Sequence, residues 1–160
     1  FLLDIGKDGK SFNEVWSTNK RRKVDRRLKP ALEIHWTTPI LFDGHLYAFS
    51  GRNEPDSLFR CVELSTGKVK WSRDERWRAY STKQPNVYGR GSAVLADGKL
   101  FILGEGGLLG LFEATPSKPV ELGRYQVPEL KYPCWTAPVL SDKRMIVRSE
   151  DYLICFELAK

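Results

Sequence analysis

Apolar residues in this chain fall in short runs separated by turn-forming residues, and the runs recur in a fixed order. One kind of run begins at a small residue or a proline: Trp36-Thr37-Thr38-Pro39-Ile40-Leu41, Ser92-Ala93-Val94-Leu95 and Trp135-Thr136-Ala137-Pro138-Val139-Leu140. Each copy reaches a turn at the same offset, Asp43-Gly44, Asp97-Gly98 or Asp142-Lys143. A second run follows each turn: Leu46-Tyr47-Ala48-Phe49, Leu100-Phe101-Ile102-Leu103 or Met145-Ile146-Val147. An Asp-Gly pair between such runs predicts a β-hairpin, because glycine accepts the positive φ that a two-residue turn demands. A third segment, apolar-apolar-acidic-apolar, occurs four times: Leu2-Leu3-Asp4-Ile5, Cys61-Val62-Glu63-Leu64, Leu111-Phe112-Glu113-Ala114 and Cys155-Phe156-Glu157-Leu158. Its first three copies lead into Gly- or Pro-bearing turns, and the first two then reach a fourth run ending Trp16-Ser17 or Trp71-Ser72.

Calling these runs strands A to D, the third segment repeats after 50 residues (Cys61 to Leu111) and again after 44 (Leu111 to Cys155). That is the period of propeller blades, with the variation confined to loops. The predicted fold is therefore all-β: part of a β-propeller of four-stranded antiparallel blades, two blades plus incomplete blades at both ends. The blade segments run about 1–18, 34–73, 88–127 and 134–160, all within one propeller domain. Only strands C and D precede residue 18, and only A, B and C follow residue 134. We therefore expect the C-terminal portion of a longer chain, with its true end at or near Lys160 and any targeting segment upstream of Phe1. The expected partners begin with the remaining blades of the same chain. No stretch approaches the ~20 apolar residues of a membrane helix.

The combination of Thr37-Thr38-Pro39, Asp43-Gly44, Leu46-Tyr47 and Cys61-Val62-Glu63-Leu64-Ser65-Thr66-Gly67-Lys68-Val69-Lys70-Trp71-Ser72 resembles the tryptophan-docking repeat of PQQ-like propellers. These include quinoprotein dehydrogenases and BamB-type outer-membrane assembly lipoproteins. The segments Phe49-Ser50-Gly51-Arg52, Gly89-Arg90-Gly91-Ser92 and Cys134-Trp135-Thr136-Ala137-Pro138 are similar to those of bacterial PQQ-like repeat proteins. The resemblance implies that Trp16 and Trp71, on strand D, dock an indole against the neighbouring blade as structural groups. It also implies a bacterial cell-envelope or periplasmic location. The function it favours is a non-catalytic binding or scaffolding propeller, with no cofactor expected and an unidentified protein or small-molecule partner. The alternative it leaves open is a fragment of a PQQ-dependent quinoprotein alcohol dehydrogenase, an enzyme with PQQ lying over a Trp floor and calcium held by Glu, Asn and Asp. Trp36 or Trp135 would then supply the floor, but the metal ligands cannot be assembled from this sequence.

Chemistry-bearing motifs are otherwise sparse. There is no nucleophile elbow, phosphate loop or HExxH, and no Cys-x-x-Cys-His haem attachment, so no catalytic or metal-ligating residue is assigned. Cys61 and Cys155 occupy equivalent strand C positions and read as small core hydrophobes, whereas Cys134, beside Trp135, is a candidate reactive thiol. His35 and His45 flank strand A on opposite sides and have no partner at ligand spacing. The net charge is +6, with Lys20-Arg21-Arg22-Lys23, Arg26, Arg27 and Lys29 as its densest run. That run is a candidate patch for an anionic partner or a solvated insertion; no aromatic is interleaved with it, which counts against nucleic acid.

In an up-and-down blade, the D-to-A and B-to-C connections share one face. This places Trp36, Arg52, Asn53, Glu54, Tyr88, Arg90, Glu105, Trp135, Arg148 and Glu150 near a common rim, with the starts of the A strands closest to the axis. Trp36, Arg52, Glu54, Tyr88, Arg90, Glu105, Trp135 and Arg148 form the candidate binding face. The competing reading is that these groups pair with one another between blades.

Overall fold

The computed structural model describes residues 2–17, 31–51, 57–76 and 87–158. The basic run from Lys20 to Lys29 and the predicted rim residues Arg52, Asn53 and Glu54 lie outside them. Every described element is a strand. β1 (Leu2–Ile5) and β2 (Phe12–Trp16) form a two-stranded sheet. β3 (Ile40–Phe42), β4 (His45–Ser50), β5 (Leu58–Glu63) and β6 (Val69–Asp74) form a four-stranded one. β7 (Ser92–Ala96), β8 (Lys99–Leu103), β9 (Leu108–Glu113) and β10 (Glu121–Gln126) form a second sheet of four. β11 (Val139–Ser141), β12 (Arg144–Arg148) and β13 (Leu153–Glu157) form a sheet of three. All pairs are antiparallel between strands adjacent in sequence, the meander of propeller blades. No helix among the described residues is long and apolar enough to cross a membrane.

The inner hairpins close as the sequence predicts. Phe42 pairs with His45, Ala96 with Lys99 and Ser141 with Arg144, leaving two-residue loops. Both loop residues have positive φ in each case: 45° and 68° at Asp43-Gly44, 47° and 66° at Asp97-Gly98, and 46° and 60° at Asp142-Lys143. The twist of such a turn matches the twist of the strands it joins, which explains why Lys143 tolerates a conformation that glycine adopts freely.

Packing follows the alternation of each strand. On β8, Leu100 and Ile102 face the preceding sheet, where they join Tyr47, Phe49, Phe59, Cys61 and Trp71 in one buried cluster. The intervening Phe101 and Leu103 face the following sheet and meet Met145, Val147, Ile154 and Phe156 in a second. A strand covered on both sides thus reads as a continuous apolar run. The strand D tryptophans tie neighbouring sheets together: Trp16 Nε1–H donates to Leu64 O at 2.6 Å, and Trp71 Nε1–H donates to Thr115 O at 2.9 Å. The Trp16 ring lies so close to Gly67 that a Cβ there would sit 2.8 Å from Cδ2.

Two positions depart from the repeat. Where β6 places Trp71 opposite Cys61, β10 places Gly123 opposite Leu111, so the third sheet has no docking indole at that position. Cys155 is exposed, which corrects its reading as a core residue. Ile154 and Phe156 turn toward the preceding sheet, and alternation sends Leu153 and Cys155 to the opposite face, where no described sheet covers them.

Candidate binding face

Strands β3 and β11 both lie against β7, so the segments leading into three inner strands converge. Trp36, Arg90 and Trp135 come from these segments, and Glu105 enters between them from the β8–β9 connection. The Glu105 side chain is 1% exposed and organises the group. Its Oε1 accepts the Arg90 backbone N–H at 2.9 Å, while Oε2 receives the Arg90 Nη2 at 3.2 Å and the Trp135 indole N–H at 3.4 Å. Its own backbone N–H donates to Tyr88 O, and its carbonyl accepts the Cys134 N–H. Gly89, at φ +62°, permits this arrangement; a Cβ there would collide with the Glu105 carboxylate.

The Arg90 guanidinium sits 4.5 Å above the Trp36 ring, a cation–π contact between sheets. Trp36 and Trp135 have centroids 5.6 Å apart at 51°. His35 extends the row on one side, 4.7 Å from Trp36, and Tyr132 on the other, 5.9 Å from Trp135. Trp135 is 48% and Tyr132 45% exposed. A shallow indentation with room for no more than about one water, lined by His35, Trp36, Thr37, Phe49, Gly51 and Arg90, opens beside them. The buried Trp36 indole N–H has no hydrogen-bond partner among the described residues.

Of the predicted rim residues, Trp36, Arg90, Glu105 and Trp135 come together. Arg148 is exposed at the end of β12, with its Nε–H donating to Ser149 O, outside the Glu105 group. Tyr88 is fully buried and turns away from the rim. Its hydroxyl donates to Glu121 Oε1 at 2.8 Å, and its backbone N–H donates to Glu75 Oε2 at 2.9 Å. Arg73 completes this second cluster, with Nη1 2.6 Å from Glu121 Oε2 and Nε 2.8 Å from Glu75 Oε1. Burial raises the pKa of Glu75, and the Tyr88 N–H and the Arg73 charge offset this only in part. Burial also opposes ionisation of Glu121, but hydrogen bonds from Arg124, Tyr88 and Arg73 outweigh it and lower its pKa. The sequence reading missed this cluster, as it missed Tyr132 and the place of His35 in the aromatic row.

Cys134 does not have the surroundings of a reactive thiol. Burial pushes its pKa up to about 11, and Sγ–H donates to Lys131 O. Because thiolate and access govern reaction rate, iodoacetamide should label Cys155 first, with Cys134 and Cys61 following only on unfolding. Early labelling of Cys134, read by peptide mass mapping, would contradict this placement.

The described residues do not fit a quinone site with calcium. No three His, Cys, Asp or Glu side chains among them gather as a metal cluster. Trp36 already carries Arg90 over its ring, and the Glu105 oxygens are bonded to Arg90 and Trp135.

No protein-family model and no curated protein sequence matches the chain. Among solved structures it is similar to BamB from Moraxella catarrhalis, at 9% identity and a TM-score of 0.51, covering 79% of this chain and 34% of that one. It is also similar to a europium-containing methanol dehydrogenase, at 16% identity and a TM-score of 0.52, covering 86% of this chain and 26% of that one. The chain thus spans about a third or less of the length of either. At these identities the likeness is one of fold alone, and the chain folds as part of a β-propeller.

Proposed function

We propose that the chain belongs to a non-catalytic binding propeller of the bacterial cell envelope, which seats its ligand or partner on the face where Trp36, Arg90 and Trp135 lead into the inner strands. One observation carries this reading. Trp135 is half exposed, yet its indole edge is tied to a buried carboxylate and its ring lies beside the Trp36–Arg90 stack. An exposed aromatic already fixed in place loses little freedom on binding, which is the arrangement of a contact surface. The Arg90 guanidinium over Trp36 and the Glu105 oxygens already bonded to Arg90 and Trp135 support a binding role over a catalytic one at this face, whereas the likeness of fold extends to BamB and a methanol dehydrogenase alike.

Dye-linked oxidation of methanol and ethanol by the full-length protein, with PQQ and Ca²⁺ added, separates the two roles. Turnover is expected to stay at the level of a protein-free control. Turnover that disappears when the protein is denatured would replace the binding reading with that of a quinoprotein dehydrogenase.

A further inference from the structure

The chain docks a tryptophan between its first and second sheets and between its second and third, but not between its third and fourth. We infer that the outer end of this last interface is a slot for the indole of a tryptophan supplied by a partner protein. Trp16 pairs with Leu2 and Trp71 with Cys61, and in both ladders the register shifts at the next pair. β10 repeats the register and the shift, with Gly123 opposite Leu111. Neither usual requirement for glycine applies there: its φ is not positive, and a Cβ would meet no atom within 4 Å. Gly123 therefore leaves open the space that the other two sheets fill with a ring.

The surroundings carry the imprint of that ring. Beside Trp71, the paired residues Tyr47 and Cys61 are fully buried. At the equivalent positions beside Gly123, Phe101 and Leu111 are only half-buried. Phe156, reaching the same interface from the fourth sheet, is half-buried too, whereas its counterpart Phe112 is 1% exposed. An acceptor is also in place. Trp16 donates to Leu64 O, and the Leu64 N–H is held by Gly44 O. Leu158 takes this position in the fourth sheet, with its N–H held by Lys143 O, so its carbonyl stands where an indole N–H is received. Half-covered apolar walls with one carbonyl fit an indole better than an aliphatic or charged group. The slot continues the packed interface of Leu103, Leu109, Met145 and Val147, and β10 is the edge strand of its sheet, so another chain can reach it. No residue of the Trp36–Arg90–Trp135 face takes part.

N-acetyl-L-tryptophanamide is the probe, titrated into the full-length protein by ligand-observed NMR. It should bind about fivefold more tightly than its 1-methylindole analogue, which has no N–H to donate. Gly123→Trp fills the slot from within; it should raise the midpoint of thermal unfolding by about 2 °C or more and abolish probe binding. If that variant does not fold, the two probes still decide the matter on the unaltered protein. Absence of binding overturns the inference, as does equal affinity for both probes or binding that folded Gly123→Trp retains. Binding lost in Trp135→Ala but kept in Gly123→Trp would place the probe on the other face and overturn the slot. Dimerisation in sedimentation velocity that Gly123→Trp abolishes would make a second copy the donor and overturn the separate partner.

Discussion

Trp71→Ala is expected to destabilise the protein by about 3 to 5 kcal/mol, the range for truncating a buried aromatic. Trp71 is 8% exposed. Its ring packs 5.2 Å from Phe59 and 6.1 Å from Tyr47, and its N–H bonds Thr115 O in the next sheet. Alanine would leave a void where two sheets meet and would release the tie between them. The neighbouring position provides the control. Cys61 lies opposite Trp71 in the ladder, in the same buried cluster. Cys61→Val keeps the volume nearly constant, so it should cost under about 1.5 kcal/mol. Trp71→Phe should fall between them, keeping most of the ring and losing a hydrogen bond worth about 1 kcal/mol. Urea denaturation of the three variants gives the order directly. If Cys61→Val proved the most damaging, Trp71 would not be the group that docks the sheets.

The strands, their order and their hairpins were legible because each rests on a local rule. Alternation assigns faces, and a paired positive φ at Asp43-Gly44 and its equivalents closes the inner hairpins. The convergence of Trp36, Arg90, Glu105 and Trp135 was legible for a topological reason: in a meander, which connections share a face follows from strand order alone. What topology does not fix is the direction of a side chain in an irregular segment. Tyr88 and Arg90 are two residues apart, yet the left-handed Gly89 between them lets Arg90 join the rim while Tyr88 turns inward. Gly110, which looks like a weak point inside β9, provides the space that the Tyr88 hydroxyl fills. Cys155 was misread because strand equivalence with Cys61 preserves the face but does not supply the sheet that covers it. The Arg73, Glu75 and Glu121 cluster joins groups up to 48 residues apart across two sheets, and no short-range pattern announces it.

That cluster gives a second large effect. Arg73→Met should destabilise by about 3 to 5 kcal/mol near neutral pH, as expected when one partner of a buried ion pair is removed. Arg73 is the cation shared by both carboxylates, and it lies 5.1 Å from the Phe112 ring centroid. Without it, Glu121 keeps Arg124 and the Tyr88 hydroxyl. Glu75, fully buried, keeps the Tyr88 backbone N–H as its hydrogen bond among the described residues, with the Arg124 charge at longer range. The sign of the pH dependence follows from Glu75. Its folded pKa already lies above the ordinary value of 4.5, and losing Arg73 raises it further. A group with a raised folded pKa binds a proton more readily folded than unfolded, so stability falls as pH rises from the ordinary value through the folded one. The deficit of Arg73→Met should therefore be largest at about pH 8 and shrink toward about pH 5. Glu121 limits the recovery. Its pKa is lowered, so its contribution is present above the ordinary value and lost as pH falls through the folded one. Adding Glu75→Gln to Arg73→Met removes the titrating group and should flatten the dependence between those limits. Urea denaturation across this range decides the matter: a deficit in Arg73→Met that does not change with pH would mean that Glu75 is not the carboxylate Arg73 neutralises.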